Sequence, residues 1–458
     1  MSMEKTIKFL LWTYLVLLIF EGALRKWVLP SLADPLLIVR DPVAIAIYCA
    51  ALFSGRLPMN GFVITIIGLA LASIAASFAA GQTNLLVLGY GLRINYGHLP
   101  LIWIMAQTLT RKDVERMGCF LLLVAIPMTL LMVWQFRSPM SAWINKGVGG
   151  DEGGQIFGAL GRIRPPGFFS FITGPQAFFP LAAAFFLYQA SGNRRLWWPI
   201  LVASGLAVLI ALPVSISRTA MIATGIVVAA FVASMPRAGI GFGPGFKALI
   251  TLAAVGVVVS FLPIFSEGRE AFMSRWETAA STTATGDAWS SIVGRILGGF
   301  TQPFQWAANA PFFGNGIGVG SNVGARLLAG RVGFLLAEDE WSKVFLELGP
   351  VLGAAFLGFR VFLTIHLGLR ALRALFFDRD NLPILIFAAA AVPIALNQWA
   401  PPTVLGFAVV GGGLLLASLN PVIEEEEEEQ EEVAEGTESA ADEEPAEAPP
   451  TQPIRERY

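Results

Sequence analysis

The chain has little cysteine, little histidine and little charge: two cysteines, two histidines and 14% charged residues among 458. Cys49 and Cys119 both lie inside apolar runs, which predicts small buried side chains and neither a disulfide framework nor a CxxC metal site. His98 and His366 have no neighbouring ligands of suitable type and spacing, so we expect no metal and no cofactor. An all-acidic cation site at residues 338–340 stays an open alternative.

Nucleotide-binding signatures are also missing. The glycine run from Gly314 to Gly320 lacks the Lys-Ser/Thr that completes a phosphate loop, and no strand and helix flank it. Because glycine tolerates left-handed backbone and close approach, the run predicts a tight, close-packed turn. We expect no nucleic-acid partner.

What the sequence has in abundance is apolar surface. Hydrophobic residues make up 55% of the chain, and the mean hydropathy is +0.65. Apolar runs of roughly 20 residues recur, which predicts an all-α polytopic membrane protein of about twelve transmembrane helices. The predicted spans are 5–21, 36–53, 61–80, 86–109, 114–136, 171–190, 196–213, 219–235, 246–265, 343–366, 382–399 and 402–419.

Basic residues in the short connections predict the orientation. Thirteen lie in one alternate set of connections, whereas the opposite set has only Arg25, Lys26 and Arg218. By the positive-inside rule both termini are cytoplasmic, and the long connections 137–170 and 266–342 face outward. We therefore expect a multi-pass protein of the bacterial cytoplasmic membrane.

The C-terminal residues differ in kind from the rest. Residues 1–423 have a net charge of +11, whereas residues 424–458 have a net charge of −13. A segment this acidic cannot bury enough apolar surface to fold. The sequence thus predicts a transmembrane domain at 1–420 and a disordered acidic cytoplasmic tail at 421–458, with a basic cytoplasmic partner for the tail as an alternative.

Ionisable residues inside spans cost free energy on insertion, about 2.5–3.5 kcal/mol each at a helix centre, and so tend to face a cavity or a partner. Arg40 and Asp41 are adjacent and predict an internal ion pair. Arg93 and His98 share one span and are expected to line one polar cavity. Further examples are Glu347 and Arg360.

Three short signatures follow one another along the chain. The first is the turn Ser215-Ile216-Ser217-Arg218-Thr219-Ala220 at the start of a span. The second is Arg295 followed by Trp306 and then Pro311-Phe312-Phe313-Gly314 with further alternating glycines. The third is Glu338-Asp339-Glu340-Trp341 followed by Glu347-Leu348-Gly349. Together with the span layout over roughly residues 1–420, these signatures make the chain resemble the O-antigen ligase and polymerase superfamily. Members of that superfamily are bacterial membrane glycosyltransferases that take a glycan from a polyprenyl-pyrophosphate carrier.

The chain departs from that family's pattern at one point. Where the family usually has His-Asn, this sequence has Glu338 and Asp339, so a carboxylate of the run Glu338, Asp339, Glu340 would act as the catalytic base. A solvated loop end, or pairing of these acids with Arg326 and Arg331, is the alternative.

The resemblance also assigns arginines to the donor. Guanidinium groups can hold the departing pyrophosphate bidentately, so Arg218 and Arg295 are the first candidates and Arg162 and Arg164 of the other exterior loop come second. Glu347, Arg93 and His98 are expected to support the site.

These inferences predict a glycosyltransferase of O-antigen or exopolysaccharide biosynthesis, independent of metal. Its partners would be a polyprenyl-pyrophosphate-linked glycan donor, an acceptor glycan or lipid, the bilayer and other polysaccharide-assembly proteins. Polymerase and ligase stay equally open. A carrier or flippase for lipid-linked sugars, or a non-catalytic component of an assembly complex, are the alternatives, because buried charges suit a carrier as well.

Overall fold

The computed structural model describes residues 3–150, 162–240, 303–330 and 333–421. The regular elements of these residues are helices, and they contain no β-strand. Residues 303–309 are also helical. The named helices are α1 (Met3–Ala23), α2 (Ala33–Leu36), α3 (Arg40–Phe53), α4 (Gly61–Ala79), α5 (Leu85–Leu92), α6 (Leu101–Thr108), α7 (Arg111–Arg137), α8 (Thr173–Ala190), α9 (Trp198–Val214), α10 (Arg218–Ser234), α11 (Asn322–Ala329), α12 (Glu340–Arg373), α13 (Leu382–Ala395) and α14 (Pro402–Ala417). Residues Met1–Asn420 form one compact unit.

Five helical segments of the described residues are long and apolar enough to cross a membrane. They are Met3–Val28, Pro30–Phe53, Gly61–Ala79, Arg111–Arg137 and Glu340–Asp378. Shorter apolar helices are Trp198–Val214, Arg218–Ser234, Leu382–Ala395 and Pro402–Ala417. This composition is compatible with a membrane protein, and the predicted span 246–265 lies outside the described residues.

The predicted span 86–109 is divided rather than continuous. Helix α5 passes into a π-helical turn, Arg93–Gly97, and α6 begins only after Pro100. Proline has no amide hydrogen to continue the helical ladder, so a break at this point costs least. The break places the polar residues Arg93 and His98 in the interior of the bundle.

Helices α8 and α14 form the centre of the bundle. Residues 177–189 of α8 and 404–415 of α14 are buried without interruption. Glycines let α14 approach its neighbours closely: a Cβ added at Gly411 would lie 2.7 Å from Ala390, and one at Gly413 would lie 2.5 Å from Met105. Small residues at helix crossings are the usual means of close packing between apolar helices.

We call the end of the bundle where α1 ends and α3 and α14 begin the upper end, and the opposite end the lower end. An ion-pair cluster closes the lower end. Arg111 lies 2.6 Å from the Asp380 carboxylate and donates to the Ser418 carbonyl at 2.6 Å. Glu115 lies 2.5 Å from Arg195. The cluster ties the start of α7 to the start of α13 and the end of α14.

One prediction about the cysteines is wrong. Cys49 lies on the exposed surface of α3, and Cys119 is only partly buried. An apolar run places a residue in an apolar environment, but it does not distinguish a bundle interior from a surface that faces lipid.

Candidate functional site

His98 lies between two polar side chains at the upper end. Its Nε2 is 3.0 Å from an Asp41 carboxylate oxygen, and its Nδ1 is 3.1 Å from the Tyr14 hydroxyl. The second Asp41 oxygen accepts from Arg93 Nε at 2.5 Å. Arg93 and His98 thus share one carboxylate, as expected of one polar cluster. Because both ring nitrogens of His98 are engaged and the side chain is buried, its role is to hold this cluster together.

Arg40 contacts the same cluster by donating to the Tyr14 hydroxyl at 3.3 Å. The predicted pairing of Arg40 with Asp41 is wrong, because the Arg40 guanidinium lies 3.4 Å from Glu21 and donates to the Pro402 carbonyl at 2.5 Å. Glu21 in turn lies 3.2 Å from Arg25. Adjacent residues on a helix point to different faces, so each finds its partner on a different neighbouring segment.

The second and third sequence signatures pack against each other. Gly349 in α12 has φ of 78° and is followed by Pro350, so the helix is kinked there. The glycine run contacts this kink: the Glu347 carboxylate accepts from the Gly320 amide at 2.7 Å, and the Glu347 carbonyl accepts from the Gly316 amide at 3.0 Å. The buried Glu347 is therefore a backbone clamp for the loop.

The glycine run forms the tight turn that the sequence predicts. Gly314, Gly316 and Gly318 all have positive φ. A Cβ at Gly314 would lie 2.2 Å from the Glu347 carbonyl oxygen, and one at Gly318 would lie 2.3 Å from the Val87 carbonyl oxygen. Only glycine combines this backbone with this closeness.

The three acids of residues 338–340 have three different environments. Glu340 is completely buried and lies 2.6 Å from Lys343 and 2.7 Å from Arg360. Asp339 caps α12 by accepting from the Ser342 amide at 2.8 Å. Among the three, Glu338 is the exposed carboxylate. The alternative pairing of these acids with Arg326 is wrong because Arg326 lies 3.1 Å from Asp34, and Arg331 lies outside the described residues.

Arg360 connects the buried acid to the end of α13. Its guanidinium donates to the Ile394 carbonyl at 2.9 Å and to the Asn397 carbonyl at 2.7 Å. It also lies 3.8 Å from the centre of the Trp399 ring. The Gln398 side-chain amide donates to the Glu338 carbonyl. The segment between α13 and α14 is thus fastened from one side by Arg360 and joined to the acidic run on the other.

A cavity of about 270 Å³ adjoins this segment at the upper end. The beginnings of three helices line it, through Thr173 of α8, Thr219 of α10 and Pro401 before α14. The polar side chains of Gln176, Asn397 and Gln398 also line it, and the rest of the lining is apolar. The dipoles of the three helices place their positive ends at this cavity, which favours an anion or a polar ligand there. Helix α14 contributes only its dipole at its first two positions, because Pro401 and Pro402 have no amide hydrogen.

The Arg218 turn stands at the edge of this cavity. Ile216 has φ of 47°, a left-handed conformation that β-branched residues rarely adopt. Ser217 caps α10 by accepting from the Ala220 amide at 3.3 Å, and it accepts from Gln176 at 2.8 Å. The turn thereby sets half-buried Arg218 as the first residue of α10, next to the cavity-lining Thr219. Strained backbone of this kind is frequent at functional sites.

The remaining predicted arginines lie elsewhere or outside the described residues. Arg162 donates to the Arg137 carbonyl at 3.3 Å and lies over the Phe136 ring, against the end of α7. Arg164 is half-buried in the same connection between α7 and α8. Arg295 lies outside the described residues. In the described part of the chain no group of three or more His, Cys, Asp or Glu could hold a metal ion.

Sequence reasoning missed several residues of this end of the bundle. Gln176, Asn397 and Gln398 are ordinary amides in or beside apolar runs, and no spacing distinguishes them from packing residues. Lys343 stands at the boundary of the predicted span 343–366, where a charged residue is ordinary. Lys343 follows Glu340 by three residues, and residues at that spacing are neighbours on a helix. This spacing is the one sequence feature that indicates an ion pair between them.

Comparison with known proteins adds no assignment. A scan of protein-family models gives no match to this chain, and a search of curated proteins gives none.

Proposed function

We propose that this protein is a membrane glycosyltransferase that transfers or polymerises glycan from a polyprenyl-pyrophosphate-linked donor at the outer face of the bacterial cytoplasmic membrane. In this proposal it belongs to the O-antigen ligase and polymerase superfamily and serves O-antigen or exopolysaccharide biosynthesis. The observation that carries the proposal is the cavity at the upper end, which has five polar residues in its lining and is bounded by the Arg218 turn on one side and by the segment that contacts Glu338 on the other.

The charge of this region supports an anionic donor. Three helix beginnings and Arg218 lie at or beside the cavity, and all of them favour negative charge. A pyrophosphate that departs from a sugar gains charge on its oxygen in the transition state, so positive groups fixed in place lower the barrier. Arg295 is assigned the same role from its sequence context alone.

The proposed reaction is a single displacement. Glu338 accepts the proton of an acceptor hydroxyl, whose oxygen forms a bond to the anomeric carbon of the donor sugar. The bond from that carbon to the phosphate oxygen breaks, and its electron pair stays on the polyprenyl pyrophosphate. Glu338 is the chosen base because Glu340 is neutralised by Arg360 and Lys343 and Asp339 is engaged as a helix cap.

Arg218→Lys is expected to lower glycosyl transfer about tenfold or more, although the charge is retained, because a lysine ammonium lacks the planar fork that binds two phosphate oxygens. Transfer is measured on membranes matched for protein abundance. Arg116→Lys is the matched control, since Arg116 is exposed and lies at the start of α7 at the lower end. Wild-type transfer by Arg218→Lys would refute phosphate binding by this residue.

In the proposed orientation both termini are cytoplasmic and the upper end faces outward. A single cysteine at Ser281, in a background with Cys49 and Cys119 replaced by serine, is expected to react with an impermeant maleimide in intact spheroplasts. Asn193→Cys, exposed in the connection between α8 and α9, is the control and should react only after lysis. The reverse pattern would invert the topology.

The function itself is tested by the lipid-linked intermediates of a deletion strain. Single repeat units on the lipid carrier indicate a polymerase, whereas full-length chains that never reach their acceptor indicate a ligase. Intermediates confined to the inner leaflet would instead indicate a flippase, and an unchanged lipid pool would refute the proposal.

A further inference from the structure

A second and larger cavity opens at the lower end of the bundle. It has a volume of about 900 Å³ and lies between α4, α6, α12 and the end of α14. Along α12 it extends from Ala355 to Arg370, which corresponds to roughly 20 Å of helix. None of the residues discussed for the upper site lines it. We call it the lower groove.

The wall of the lower groove is aromatic. Phe62 is its centre, with ring centroids 5.3 Å from Trp103, 5.6 Å from Phe362 and 4.9 Å from His366. An aromatic cluster in a groove of this length offers apolar contact to a chain and little to a small polar solute.

Small residues give the groove its width. Gly61, Ala355 and Gly358 lie along it, and a Cβ added at Gly61 or Gly358 would meet nothing within 4 Å. The space at these positions is therefore open and could accommodate a larger side chain. Phe362, Ile365 and Leu369 are exposed beside it on α12, so an apolar surface leads from the groove to the outside of the bundle.

The charge of the groove lies at one end. Arg370 is exposed at its lower rim, near the polar side chains of Asn60 and Asn420. Among the described residues that line the groove there is no carboxylate. An apolar trough that ends in a cation complements an amphiphile with an anionic head.

We propose that the lower groove binds one anionic phospholipid from the leaflet at the lower end. One acyl chain lies against the Phe62 wall, and the phosphate lies at Arg370. The length of the groove matches a chain of membrane-lipid length, and its charged rim lies at the end where basic residues predominate in the short connections. This inference holds whether or not the protein transfers glycan.

The full-length chain is purified from vesicles of equal amounts of phosphatidylglycerol and phosphatidylcholine, and its retained lipid is counted by native mass spectrometry. The wild type is expected to retain phosphatidylglycerol preferentially. Arg370→Gln should lower that preference roughly fivefold, the equivalent of about 1 kcal/mol for one basic residue near an anionic head. Arg373→Gln, exposed one turn away and outside the groove, is the control and should not lower it.

Gly358→Leu fills the groove and should abolish retention of the lipid, whereas Gly225→Leu, in open space on α10, should not. Equal retention of both lipids by the wild type would overturn the proposal. So would normal retention by Gly358→Leu, or an equal effect of Arg370→Gln and Arg373→Gln. Displacement of phosphatidylglycerol by an equal amount of polyprenyl phosphate would assign the groove to the carrier lipid and also overturn it.

Discussion

Glu338→Gln is expected to lower the rate of glycosyl transfer by roughly 10²–10⁴-fold, the usual contribution of a positioned proton transfer. Glutamine keeps the size of the side chain but cannot take the acceptor proton. Because Glu338 is exposed and accepts from Gln398 through its backbone carbonyl, protein abundance and thermal unfolding should be unchanged. Binding of the lipid-linked donor should also change little, since Glu338 has no role at the pyrophosphate.

The neighbouring acid provides the control for this prediction. Asp339→Asn should transfer glycan normally, because asparagine caps a helix about as well as aspartate does. Glu338→His restores the residue type expected from the resemblance and should retain activity with a different pH profile. If Glu338→Gln is active while Asp339→Asn is inactive, the base is Asp339. If both variants are active, the proposed mechanism is wrong.

Glu340→Gln is expected to have a different effect: a loss of about 3–5 kcal/mol in the free energy of unfolding, seen as low membrane abundance and a lower melting temperature. Glu340 is the buried counterion of both Lys343 and Arg360, with distances of 2.6 and 2.7 Å. Removing its charge leaves Arg360 without a carboxylate partner in a low-dielectric interior and leaves Lys343 with Glu347 as its neighbouring acid. Glu338→Gln is the matched control, because it removes the same charge two residues away from an exposed position.

Coupling between the partners gives a second measurement. Glu340→Gln combined with Arg360→Gln should destabilise the protein less than the sum of the two single variants, because the residual unpaired charge is smaller. A fully stable Glu340→Gln protein that has lost glycosyl transfer would contradict this account. Such a result would make Glu340, and not Glu338, the catalytic base.

Helix positions could be predicted well because they depend on local composition. The predicted spans 5–21 and 61–80 correspond to Met3–Ala23 and Gly61–Ala79, and 402–419 corresponds to Pro402–Ala417. The break within 86–109 was not predicted. Arg93 and Asn95 lower the hydropathy of that run. The π-helical turn begins at Arg93, whose partner Asp41 lies on another helix, and the run itself does not show that contact.

The candidate site could be predicted in part. The glycine turn and Glu347 were recognised separately, and the structure brings them into contact. The acidic run looked uniform, because a sequence cannot show which of three consecutive carboxylates will face a buried arginine. Helix α12 begins at Glu340, which is buried, whereas Glu338 lies before the N-cap Asp339 and is exposed.

The sequence by itself determined the helical, apolar character of the chain, the change of charge at the tail and the places where glycine is required. These properties follow from local composition and from backbone conformations that each residue can adopt. Only the tertiary structure decided the partners of the buried charges: Arg40 with Glu21, Arg360 with Glu340 and His98 with Asp41. The physical reason is that an ion pair between helices depends on which faces meet, and residues distant in sequence supply them.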